Sequence, residues 1–236
     1  MNFNNSYAHN RNKSDTPNSE NDMTPVNLTL SCGDYDRTRP LIDGTISTPG
    51  LHVTVIPLPS AERHRRFVRN FEFDVCELQI AQYLGLRSRG APITAIPVFP
   101  HRRFNHSCVM VRIDSDIARP EDLRGHRVGV HGHFNPIALW VRGMLHHDFD
   151  VHPREIHWIA DGPEDVPGWT PPSWLRIDRA PDGLKMQDLL NIGQLDAQIL
   201  SDSGVDTSTI NKAIRRLWPN YREIETHYYR RTGIFP

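Results

Sequence analysis

Short apolar runs alternate with longer amphipathic runs along nearly the whole chain, and this alternation limits the fold more than any other feature. VNLTLSC (26–32), LHVTVIPL (51–58), FDVCEL (73–78), ITAIPVF (93–99) and SCVMVRI (107–113) read as strands. Between them, SAERHRRFVRN (60–70) reads as a helix capped by Ser60, and ELQIAQYLGLRSRG (77–90) as a helix ended by Gly90. After a turn at EDLRGH, RVGV (127–130) is a strand. NPIALWVRGMLHH (135–147) is a helix with Asn135 as its cap and Pro136 at its first position. EIHWIA (155–160) is a strand, 161–183 is a Pro- and Gly-rich loop, and LKMQDLLNIGQLDAQIL (184–200) is a helix, a stop at Gly193 and a strand. TINKAIRRLW (209–218) reads as a further helix. Strands alternating with helices require mostly parallel sheets covered on both faces.

The composition change over 114–124 divides this α/β chain into two doubly wound lobes with a cleft between them. Residues 1–25 form a polar tail too poor in apolar groups to join a core. Lobe one spans 26–116, lobe two 117–230, and 231–236 starts a strand returning to lobe one. The chain stops at IFP, where that return begins, so an exposed apolar face on lobe one is expected. Ligands of open α/β sheets sit beyond the carboxyl ends of the strands, which directs attention to the loops there.

Composition removes several function classes. Lys and Arg total 27 against 28 Asp and Glu, so the balance suggests neither nucleic acid nor an anionic membrane surface as partner. No run is long and apolar enough to span a bilayer, and the N-terminus lacks the apolar core of a secretory signal, which points to the cytoplasm. Cys32, Cys76 and Cys108 show no metal-binding spacing and read as reduced, buried thiols. Thirteen histidines suit acid–base work near neutrality.

Three loops carry the candidate site. CGDYDRTRPL (32–41) releases Asp34, Tyr35, Asp36 and Arg37 where the first strand ends. VFPHRRFNHS (98–107) places Arg102, Phe104 and His106 after a proline break, and arginine holds carboxylates with two parallel bonds. HGHFN (131–135) sets His131, His133 and Asn135 at a helix N-terminus, a seat for an anion. Glu77 follows the third strand, and Tyr229 lies in an arginine-rich terminal run that reaches the cleft if the chain crosses back there.

The runs LSCGDYDRTRPLIDG, FDVCELQIAQYLGLRSRGAP, IPVFPHRRFNHSCVMV, DLRGHRVGV, LWVRGMLHHDFDVHPREIHW and YYRRTGIFP resemble the 4,5-dihydroxyphthalate decarboxylase family from residue 26 to the end. The resemblance implies the type II periplasmic-binding-protein fold and the loss of one carboxylate from 4,5-dihydroxyphthalate to give protocatechuate, a lyase step in phthalate degradation and aromatic catabolism. It implies no organic cofactor, and the sequence offers no metal site. The partner it implies is a small aromatic carboxylate, and it leaves room for self-association. Substrate chemistry then distributes roles: Arg37 and Arg102 clamp a carboxylate, His106 or Asp36 donates the proton, and Glu77 or Tyr35 meets the catechol hydroxyls. Two departures stand out. The family's turn reads E-Y-Q-M-T where this chain has G-H-F-N-P at 132–136, and Asn105 stands where the family tends to have Arg. A rival reading is a binding protein that captures a small carboxylate without chemistry, and a third is an inactive truncated relative.

Overall fold

The structure is a computed structural model and describes residues 24–164, 166–200 and 214–236. Residues 1–23 of the expected polar tail, and 209–213 of the helix expected over 209–218, lie outside the described residues.

Two sheets organise the described residues. In the first, β1 (Val26–Cys32) lies between β2 (Leu51–Pro57) and β3 (Val75–Cys76), and both pairings are parallel. β1 and β2 run in register from Val26 opposite Leu51 to Cys32 opposite Pro57. Their carboxyl ends, followed by the third strand's Glu77, therefore reach one level. Around them lie the short α1 (Arg39–Ile42), α2 (Ser60–Asn70) and α3 (Ile80–Ser88). Pro59, and not Ser60, holds the N-cap position of α2; Ser60 begins the helix, its Oγ 3.3 Å from His64 Nδ1. Gly90, at φ +83°, takes the left-handed turn that follows α3.

The second sheet has the order β7-β6-β5-β8-β4-β9, built from β4 (Val109–Arg112), β5 (Arg127–Val130), β6 (His157–Ala160), β7 (Ile177–Arg179), β8 (Ala197–Ile199) and β9 (Ile214–Arg216). Pairs among β5, β6, β7 and β8 are parallel, but β4 runs antiparallel to both β8 and β9. α4 (Pro136–Phe149), α5 (Met186–Asn191) and α6 (Tyr221–Thr232) accompany this sheet. Its core gathers Val128 and Val130, Trp158, Val141 and Leu145 of α4, and Leu217 and Trp218 after β9. Each such side chain contributes about 1.5–3 kcal/mol when fully buried.

Several expectations are corrected by this packing. ITAIPVF forms no strand: Pro97 removes a ladder donor, and Ile96, Val98 and Phe99 are exposed. The strand within SCVMVRI, grouped by sequence with the first lobe, pairs instead into the second sheet as β4. Ile214–Arg216, expected in a helix, form β9, because pairing with β4 carries Leu217 and Trp218 into the core. The loop over 161–183 contains the short edge strand β7. The two lobes touch where Phe134 and Trp169 pack with Val68, Leu86 and Val166 in one apolar cluster.

Candidate functional site

At the tips of the first sheet the chain assembles a polar cluster around Glu77. Gly33 N–H donates to Glu77 Oε2 at 2.8 Å, Tyr35 Oη donates to Oε1 at 3.1 Å, and Arg63 Nη2 lies 2.9 Å from Oε2. Arg63 is buried and also donates to the carbonyls of Leu58 and Glu77. It thus ties the ends of β2 and β3 together, while Gly33 brings in β1. An additional Cβ at Gly33 would fall 2.3 Å from the Tyr35 ring, so only glycine allows the phenol to fold back onto the carboxylate. Burial, and then the charge of Glu77, push the Tyr35 phenol above its ordinary range. The sequence singled out Tyr35 and Glu77 but missed Arg63. Its only signal was a charged residue on what proves a buried position of α2.

Outward from this cluster lies a basic rim. Arg37 lies over the Tyr35 ring at 4.4 Å, pairs with Asp36 at 3.0 Å, and donates from Nε to the Pro100 carbonyl. That bond joins the first strand-tip loop to the segment carrying Arg102, whose guanidinium lies 4.5 Å over Phe99. Arg102 also reaches the Phe235 carbonyl at 3.4 Å. Asp34 pairs with Arg39 at 2.6 Å. The structure therefore brings Asp36, Arg37, Tyr35 and Glu77 together and connects them to the loop of Arg102.

Phe104 and His106 face elsewhere. Phe104 packs on Phe235 at 4.9 Å and Tyr228 at 6.3 Å, while His106 packs edge-on to Trp218 at 5.5 Å and Tyr228 at 5.7 Å. His106 is buried, and burial holds its imidazole down to about 4. Glu225 is 3.8 Å away. A neutral ring inside an aromatic cage is a core side chain, which corrects its expected role as a proton donor to a ligand. Tyr229 is half exposed on α6, and it is its neighbour Tyr228 that turns inward.

The tips of the second sheet form a further polar group. His131 Nδ1 lies 3.0 Å from Asp161 Oδ1, at the ends of β5 and β6. The His133 ring stacks on Trp169 at 4.3 Å, and burial draws it down to about 3. The anion seat at the start of α4 is filled from within the chain. Asn135 Oδ1 accepts from the N–H groups of Ile137 and Ala138, both at 3.1 Å, and Glu164 accepts from His133 N–H at 2.8 Å. Asn135 therefore serves the helix and not a ligand. Among the described residues no hydrogen bond or ion pair connects this bend to Arg37 or Arg102, and no group of three or more His, Cys, Asp or Glu side chains is arranged to hold a metal.

Comparison with known proteins follows the geometry. A family model described as NMT1/THI5 like matches residues 47–161. A 4,5-dihydroxyphthalate decarboxylase from Comamonas testosteroni is 31% identical over 220 residues, covering 91% of this chain and 67% of the relative. One from Pseudomonas putida is 31% identical over 183 residues, covering 75% of this chain and 71% of the relative. Among solved structures, the periplasmic aliphatic sulphonate binding protein SsuA from Escherichia coli aligns with a TM-score of 0.53 at 14% identity, covering 82% of this chain. The alkanesulfonate-binding protein SsuA from Xanthomonas axonopodis pv. citri, bound to MOPS, aligns with a TM-score of 0.51 at 15% identity. This chain spans 60% of the length of each of these two. Such likeness shows the fold: an α/β architecture of the periplasmic-binding-protein type, as the alternation of strands and helices implied. No helix among the described residues is long and apolar enough to cross a membrane.

Proposed function

The chain belongs to the 4,5-dihydroxyphthalate decarboxylase family, and from that premise we propose that it decarboxylates a hydroxylated aromatic dicarboxylate, most directly 4,5-dihydroxyphthalate to protocatechuate. The observation that carries this reading is the pairing of Tyr35 with Glu77 beneath the exposed cations of the adjoining loops.

The chemistry needs three things at one place. A carboxylate must be held so that the ring is oriented. Arg37 and Arg102, on segments joined through the Pro100 carbonyl, supply that charge. A hydroxyl para to the leaving carboxylate must lose its proton, which moves electron density onto the carbon bearing that carboxylate. Glu77, fixed by Arg63 and Gly33, accepts this proton directly or through the Tyr35 hydroxyl. A proton must then reach that ring carbon. The C–C bond electrons return to the ring as carbon dioxide leaves, and one proton replaces one carboxylate. We assign delivery of that proton to Asp36, exposed on the same turn and paired with Arg37.

Incubating the purified protein with 4,5-dihydroxyphthalate and following carbon dioxide release tests the reading. Glu77→Gln and Arg37→Ala are each expected to lower kcat/KM by about 10²-fold or more, the scale of a general acid–base group. Full activity in both variants removes the assignment. The fold likeness to sulphonate-binding proteins supports a second reading, capture of a small anion without chemistry. Saturable binding with no turnover would select it.

A further inference from the structure

A groove lies against α4, shares no lining residue with the Glu77 cluster and is unused by the proposed chemistry. It encloses about 260 Å³ and is lined by Leu139, Arg142, Gly143 and His146 of the helix together with Pro153 and Trp174. The four helical residues follow the spacing i, i+3, i+4 and i+7, so they share one face. Gly143 opens this face. It lies inside the helix with no unusual φ, where glycine costs about 1 kcal/mol relative to alanine, and an added Cβ there meets nothing within 4 Å. The space beside it is therefore open.

The most buried lining side chain with a charge is Arg142, 5% exposed. One Nη donates to the His133 carbonyl at 2.5 Å, and the guanidinium lies 5.6 Å from the Trp158 ring. A guanidinium has five N–H donors in a planar fork. Burial pulls it down to about 10, against the opposing pull of the Glu164 charge. His133 also lines the groove, and its Nδ1 has no hydrogen-bond partner among the described residues. A buried cation at one side, a further ring nitrogen, and walls of leucine, proline and tryptophan suit a flat anion with an apolar body. Pockets for drug-sized ligands hold about 300–1,000 Å³, so this volume fits a single ring.

We propose that the Gly143 groove is a binding site for a small aromatic monocarboxylate, with the carboxylate on Arg142 and the ring against Leu139 and Trp174. The site stands apart from the decarboxylation cluster, and its occupation does not depend on that reaction.

Calorimetric titration of the full chain with benzoate, and with benzamide as the uncharged isostere, tests this. Benzoate is expected to bind saturably, and benzamide at least about tenfold more weakly. Gly143→Leu fills the groove while improving helix propensity, so it should weaken benzoate binding at least about tenfold without lowering the melting temperature. Arg142→Lys keeps the charge but loses the fork, and is expected to weaken binding similarly if leucine disturbs α4. Absence of saturable binding, equal affinity for benzamide, or affinity unchanged in both variants overturns the proposal. So does binding that is lost in Arg37→Ala but kept in Gly143→Leu, which would place benzoate at the Glu77 cluster.

Discussion

The two sets of strand tips handle charge in different ways. At the first sheet, one buried arginine holds one carboxylate, and that carboxylate in turn holds a backbone N–H and a phenol. Every member meets Glu77, and Arg63 supplies its counter-charge. At the second sheet, Glu164 caps His133 N–H, Asn135 caps α4, and His131 meets Asp161 at the surface, each without sharing a partner with the others. The first arrangement is coupled and the second is modular. A coupled site is positioned strongly but fails as a unit, whereas a modular one yields piece by piece. The supporting cores differ accordingly. Three strands stand behind the first cluster, and six strands with a continuous buried core stand behind the second.

The largest effect should come from Arg63→Met. Removing one partner of a buried ion pair costs about 3–5 kcal/mol, because the other charge remains buried. Urea denaturation reads the loss. Amide hydrogen exchange reads its location: protection should fall in Val26–Cys32 and stay high in Arg127–Val130. Equal loss in both segments would erase the distinction between the two sets of tips.

Leu145→Ala reverses the pattern. Leu145 is buried in the second core, and truncation there costs about 2–5 kcal/mol through lost burial and the cavity it leaves. Exchange should then quicken in β5 and β6, while the decarboxylation proposed for the Glu77 cluster, measured below the new melting temperature, keeps its kcat. A drop in kcat as large as that of Glu77→Gln would show the two regions to be coupled.

Acid sharpens the comparison further. Burial lowers His64 beside the first sheet to about 4, and His106 and His133 in the second region to about 4 and 3. Folded protein keeps these rings neutral, while the unfolded chain takes up their protons near pH 6.5. Unfolding therefore binds protons, and stability falls as pH drops from about 6.5 toward 4. For the buried His106 this amounts to about 2 kcal/mol between pH 6.5 and 5, at 1.36 kcal/mol per pH unit. His106→Phe should flatten the decline by that amount, since its cage of Trp218 and Tyr228 accepts another ring. An unchanged slope in denaturation midpoints across that range would place the proton uptake elsewhere.

What could be read from the sequence followed from local physics. Asn135 and Pro136 announced the start of α4, Gly90 and Gly193 the ends of their helices, and period-two alternation gave β1 and β2. What could not be read depended on partners distant in the chain. Ile214–Arg216 carry a helical pattern, yet β4 offers an edge that makes them a strand. Arg63 resembles the other arginines of α2 until the fold sets Glu77 beside it. His106 sits in a run of polar residues, and only Trp218 and Tyr228, more than a hundred positions later, make it a core residue. Asn135 opens α4 as its residue type implied, but nothing near it in the chain announces that Glu164, thirty-one positions on, accepts from His133 N–H.

The smallest effect belongs to His131→Ala. Its ring is exposed and meets Asp161 at 3.0 Å, and exposed pairs of this kind contribute about 0–1 kcal/mol. A modular tip predicts a change confined to that range, with exchange rates at His133 and Ile137 N–H unaltered because Glu164 and Asn135 hold those groups independently. The chemical shifts of the two amides report this directly in a spectrum of the variant. Shifts that move together with those of Asp161 would mean that the second set of tips is also one network, and the contrast with the Arg63 cluster would then rest on burial alone.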